Sequence, residues 1–159
     1  MNLQYVDGLK AEVMQRLKHL LRGLERGDMV YLICPVANAT DEEKAFLGWY
    51  KDLLAIWGVR GHYPETDTRQ EDETGGYRIC VDHTEEIAES RQVHAFWRES
   101  SRGSVFDLGV AFGFHRLKGT RIKVINRGEV VKMVADQERN KSYERVLLHL
   151  DDLAGEQKP

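Results

Sequence analysis

The sequence predicts an α/β fold in which a mostly parallel sheet of four to five strands is covered by helices on both faces, with an extra helix at the N-terminus. Three observations predict it. After residue 28, short apolar runs of strand length alternate with stretches of helical periodicity, the pattern of a parallel sheet built from crossover units. The first such run, MVYLICPV at 29–36, is apolar throughout rather than alternating, as a strand buried on both faces requires. At 159 residues the chain has the length of one domain and can bury a core without a disulfide or metal staple.

In chain order, Val13, Leu17, Leu20, Leu21 and Leu24 recur at helical spacing, so residues 9–25 read as an amphipathic helix ended by Gly27. The first strand follows and stops at Pro35. Thr40 then opens a helix with the capping-box pattern T-D-E-E, which puts Glu43 at the third helical position, and Gly58 closes that helix. Residues 59–63 form a second strand. The polar, acidic stretch 64–76 is a loop long enough for a substrate lid, or a solvated excursion. A helix over 77–90 turns Ile79 and Ile87 inward, and residues 93–97 form the third strand. A helix over 104–117 is apolar almost all round, and RIKVI at 121–125 is the fourth strand. A last helix over 142–153 has Val146, Leu147 and Leu150 on one face, and residues 155–159 read as a disordered tail. The domain is therefore placed at 28–154, with residues 1–27 packed on it.

Composition narrows the function classes. The net charge of −3, with no Lys/Arg run longer than two, argues against a nucleic-acid partner, which needs a basic face to displace counterions. No apolar stretch approaches the length of a membrane span or a signal-peptide core, so the expected location is cytoplasmic. Two cysteines, Cys34 and Cys80, do not make a disulfide scaffold, and six histidines show no metal-ligand spacing. His94 and His115 read as structural, and Cys34 as a buried, inert thiol.

The chemistry concentrates at residues 99–113, ESSRGSVFDLGVAFG. A strand ends, a turn of serines with one glycine follows, and a helix begins. Unpaired N–H groups at a helix start suit an anion, Ser100, Ser101 and Ser104 add hydroxyls, and Gly103 lets a ligand approach the backbone. The turn is neither a Walker A motif nor GxGxxG. Ser104 could instead simply cap the helix. Asp107 stands among Val105, Phe106, Leu108, Val110, Ala111 and Phe112, where a carboxylate is costly unless it is hydrogen-bonded or faces a cavity. Two readings stay open: an S-x-x-D cap with Ser104 that ties off the first turn, or a ligand-binding or catalytic carboxylate. Gly109 and Gly113 leave a smooth stripe suited to close packing on the sheet or on a second subunit.

The segment SRGSVFDLGVAF resembles the signature of the nucleoside 2-deoxyribosyltransferase-like superfamily, which includes nucleotide N-glycosidases acting on deoxynucleoside monophosphates. Ser101, Gly103 and Asp107-Leu108-Gly109 occupy its serine, glycine and acid-Leu-Gly places, and the likeness extends loosely over residues 29–126, with YLICPVANA matching the first strand and loop and Asp82 in ICVDHTEEI matching a sugar-holding acid. The resemblance implies a Rossmann-like, flavodoxin-like three-layer sandwich. It further implies a carboxylate nucleophile at Asp107, with Ser101, Gly103 and Asp82 at the substrate; Ser104, from its place in the helix start, and Trp97, at the end of the third strand, complete the expected substrate site, with no metal or organic cofactor and with a homo-oligomer, a dimer or higher, expected. Serine at 101 points to the monophosphate-using branch. The sequence departs from the pattern twice: the family nucleophile is glutamate, and the first loop lacks the glycine-serine and arginine features that grip nucleotides.

The expected activity is cleavage or transfer of the N-glycosidic bond of a nucleoside or nucleoside 5′-monophosphate. The alternative is a nucleotide-binding or sensing module of the same fold, and a third is a structural subunit. Tyr31, Tyr63 and Tyr77 lie where an aromatic could stack on a base or merely pack. Lys141 and Ser142 could approach a neighbouring subunit's phosphate site.

Overall fold

The computed structural model describes residues 1–134 and 141–156 of the chain. Four strands, β1 (Met29–Ile33), β2 (Arg60–His62), β3 (Gln92–Ala95) and β4 (Arg121–Val124), form one sheet in the order β2-β1-β3-β4, with every pair parallel. Tyr31 aligns with His62 on one side and with Val93 on the other. Helices α1 (Leu3–Gln15), α2 (Leu17–Leu21) and α3 (Asp41–Ile56) cover one face. Helices α5 (Tyr77–Glu89), α6 (Arg102–Lys118), α7 (Arg127–Val134) and α8 (Tyr143–Glu156) cover the other, and the short α4 (Pro64–Asp67) follows β2. This is the expected Rossmann-like three-layer sandwich.

The strand β1 explains the layering. All five of its residues are buried, with Val30 and Leu32 turned into the core under α1 and α3, and Tyr31 and Ile33 into the core under α5, α6 and α8. The capping box of α3 forms as its sequence predicts: Thr40 accepts from the Glu43 amide at 3.2 Å, and Glu43 accepts from the Thr40 amide at 2.8 Å.

Several boundaries differ from expectation. The single helix over 9–25 is two helices broken at Arg16, whose side chain is drawn inward to the Val124 carbonyl (2.6 Å) and to Asp151 (2.7 Å). The turn that ends α2 uses Gly23, not Gly27: φ is +77° there, and a Cβ would run into the Arg121 guanidinium. The helix α7 lies outside the expected elements. It has one fully buried side chain, Val130, and so carries little periodic signal. Helix α8 continues to Glu156, so residues 155 and 156 are helix rather than tail, and the rest of the expected tail lies outside the described residues. Among the described residues no helix is long and apolar enough to cross a membrane.

Lys123 of β4 is fully buried, and its ammonium donates to the carbonyls of Leu20 (3.1 Å) and Arg22 (2.8 Å) at the end of α2. Burial, reinforced by Arg121, pushes the Lys123 amine down from its ordinary 10.5 to about 7. Between those values only the unfolded chain holds the proton, so stability rises with pH across that window and is insensitive to this group below it. Urea unfolding between pH 7 and 9 is expected to show a positive slope of up to about 1.4 kcal/mol per pH unit from this group. The Lys123→Met variant should lack it, and equal slopes for the two proteins would refute this account.

Candidate active site

The sheet order creates the site. From β1 the chain leaves to β2 on one side, and from β3 it leaves to β4 on the other, so the loops after β1 and β3 diverge. Ligands in open parallel sheets lie in the crevice at such a point, beyond the carboxyl ends of the strands. A cavity of about 400 Å³ opens there. Residues 34–38 after β1, Pro64, Arg69 and Gln70 after β2, Ile79 and His83 of α5, and Arg98, Ser100, Ser101, Arg102 and Gly103 after β3 surround it, with Asp107 of α6 among the lining groups.

Asp107 is 2% exposed and lines this cavity. One of its oxygens accepts from the Tyr31 hydroxyl at 2.9 Å, and the other is 3.0 Å from His83 Nδ1. The cap with Ser104 is therefore overturned. Helix α6 begins two residues earlier than expected, with Ser101 as its N-cap accepting from the Ser104 amide, which carries Asp107 beyond the first turn. Its two donors come from β1 and α5 instead. Burial, followed by the Asp107 charge and hydrogen bond, pushes the Tyr31 phenol far above its ordinary value, so it stays a neutral donor. His62 stacks on Tyr31 at 5.3 Å, and burial holds its imidazole below the ordinary range against the opposing pull of Glu86.

The expected site residues divide. Ser101 and Gly103 line the cavity with Asp107. Ser101 Oγ accepts from both the Ser104 amide and the Ser104 hydroxyl (2.8 Å), leaving its own proton to donate. Ser104 is itself fully buried behind Ser101 and does not line the cavity. Asp82 also stands back from it, paired with Arg69 at 2.7 Å, and it is Arg69 that reaches the lining. The expectation that Trp97 lines the pocket is corrected. Asn126 grips both the amide (2.8 Å) and the carbonyl (2.9 Å) of Trp97, its indole N–H donates to Glu144 at 2.8 Å, and the ring is buried in the core. Tyr63 is buried with its hydroxyl on Glu65, Tyr77 is exposed, and Lys141 and Ser142 line a different groove, between α6 and α8.

His94 is wholly buried between the Tyr50 hydroxyl (2.7 Å) and Gln92 (3.1 Å), and His115 bonds the Thr120 carbonyl, both structural roles. Cys34 does line the cavity, and burial pushes its thiol well up, so it remains protonated there.

Two features were not anticipated. His83, beside Asp82, is the α5 residue that touches Asp107. Arginines missing from the first loop enter from elsewhere: Arg69, Arg98 and Arg102 all line the cavity. Arg98 is held by the buried carboxylate of Glu43, the capping-box residue of α3. Of the three, Arg69 is paired with Asp82 and Arg98 with Glu43, while Asp107 is hydrogen-bonded to Tyr31 and His83.

Among the described residues no group of three or more His, Cys, Asp or Glu side chains gathers as a metal site. No family model matches the chain, and neither a curated protein nor a solved structure matches it.

Proposed function

We propose that the protein cleaves or exchanges the N-glycosidic bond of a nucleoside 5′-monophosphate or nucleoside, with Asp107 as the nucleophile at C1′ of the sugar. The observation that carries this reading is a buried carboxylate lining a 400 Å³ cavity while two neutral-capable donors, Tyr31 and His83, fix its orientation. A preset carboxylate can attack C1′ as the base departs, and water or a second base then resolves the glycosyl ester. Ser101, Arg98, Arg69 and Arg102 would meet the phosphate. Exposed Phe106 and Phe112 on either side of Gly109 support the homo-oligomer as the working unit.

The test is release of free base from a panel of nucleosides and their 5′-monophosphates, with the monophosphates expected to react faster. A panel left wholly intact would remove the reading.

One observation favours the sensing alternative: both Asp107 oxygens already hold hydrogen bonds. That alternative predicts a saturable thermal shift with monophosphates and recovery of the ligand unchanged.

A further inference from the structure

We propose that His83 is the acid–base catalyst of this site, protonating the departing base and then activating the water that replaces it; the proposal rests on the glycosidic reading above. N-glycosides of ordinary bases leave poorly as anions, so the reaction needs a proton donor at the base as well as a nucleophile at C1′. The lining narrows the choice of donor. Cys34 is buried and its thiol is pushed up, and a guanidinium does not give up its proton at ordinary pH, which removes Arg69, Arg98 and Arg102. Asp107 is engaged as the nucleophile. Tyr31 is fully buried beneath it, with its proton committed to the carboxylate. Only His83 remains among the titratable lining groups.

Its geometry fits the role. Nδ1 is committed to Asp107 at 3.0 Å, while Nε2 makes no hydrogen bond to the described residues, and the side chain lines the cavity. The imidazole therefore extends from the nucleophile toward the ligand space, its far nitrogen free to reach a ring nitrogen or carbonyl oxygen of the base.

Charge balance supports the pairing. In the first step an Asp107 oxygen forms a bond to C1′ while the C1′–N bond breaks and its electron pair stays with the base. The base takes the proton from His83 Nε2 and leaves neutral. The carboxylate becomes an ester as the imidazolium becomes imidazole, so both charges disappear together, with no lone charge stranded in a poorly solvated cavity. In the second step His83 Nε2 takes a proton from water as the water oxygen bonds C1′, and the ester pair returns to Asp107. The same residue serves as acid and then as base, as microscopic reversibility requires.

His83→Asn separates this role from mere positioning, because the asparagine amide can occupy the place of Nδ1 beside Asp107 but supplies nothing at Nε2. Single-turnover base release, with protein in excess so that only the first step is read, is compared for a purine nucleoside monophosphate and its N7-methylated form, whose base is already cationic and leaves neutral without a proton. The variant is expected to slow the ordinary substrate by about 10²-fold or more and the methylated one by less than about 5-fold. Equal losses on both substrates, or none on either, would overturn the acid–base role while leaving the glycosidic reading intact. A parent protein that releases no base from either substrate would overturn both. If His83→Asn fails to fold, His83→Gln is assayed in the same way, with the same outcomes deciding.

Discussion

Asp107→Asn is expected to lower base release by about 10⁴-fold while the protein stays folded. The neutral amide cannot form the glycosyl ester, so the loss should fall on the chemical step and appear as a collapse of kcat with little change in KM. The fold should tolerate it, because the carbonyl oxygen of the introduced asparagine still accepts from Tyr31, and its amide can donate to His83 in its other tautomer; the parent contacts are 2.9 and 3.0 Å. Single-turnover base release, with thermal unfolding alongside, checks both halves. A variant that unfolds early and retains its activity when folded would mark Asp107 as a structural group.

The largest stability effect is expected at Asp151, remote from the cavity. Its carboxylate is 2% exposed and receives Arg16 (2.7 Å), His19 (2.9 Å), the Val124 amide (2.8 Å) and Arg127 (2.9 Å). One side chain on α8 thus ties the α1–α2 break, the end of β4 and the start of α7. Burial alone would raise its pKa, but the His19 hydrogen bond, the Arg16 charge and the Val124 amide outweigh it and hold the carboxyl below its ordinary range. Its contribution is therefore present above the ordinary carboxylate range and fades as pH falls through the lower, folded value.

Asp151→Ala strips an acceptor from the half-buried Arg16, His19 and Arg127, of which Arg16 keeps the Val124 carbonyl and Arg127 keeps Asp152, and leaves the buried Val124 amide unpaired, a change that costs roughly 3 kcal/mol. That is a large part of the roughly 5–15 kcal/mol typical of a domain, and Tm should fall by about 10 °C. Differential scanning calorimetry at neutral pH checks this. A change of less than about 1 kcal/mol, the range of an exposed ion pair, would contradict it.

The sequence made the architecture legible where one local rule spoke for each element: the unbroken apolar run of β1, the T-D-E-E box of α3, the glycine after α3. Asp107 was legible as a carboxylate among apolar neighbours. Its partners were not, because Tyr31 is 76 residues away and pairing across a sheet leaves no local pattern. His83 was within reach of a closer reading. Ile79, His83 and Ile87 lie four apart on α5, so the face that buries Ile87 and half-buries Ile79 also carries the histidine, while Asp82 sits one step round the helix and meets Arg69 instead. Trp97 misled because β3 ends two residues earlier, at Ala95, and a distant asparagine, Asn126, then fixes the chain.

The central claim is that Asp107 bonds covalently to the sugar. A 2-deoxy-2-fluoro nucleoside 5′-monophosphate, whose fluorine destabilises the oxocarbenium-like transition states of both steps, should let the ester accumulate. Intact-mass spectrometry of the full chain is then expected to show one added fluorosugar phosphate, with peptide mapping locating it on Asp107 and stoichiometric release of base. Base released at undiminished turnover with Asp107 unmodified, or ligand recovered whole from a saturated protein, would contradict the account.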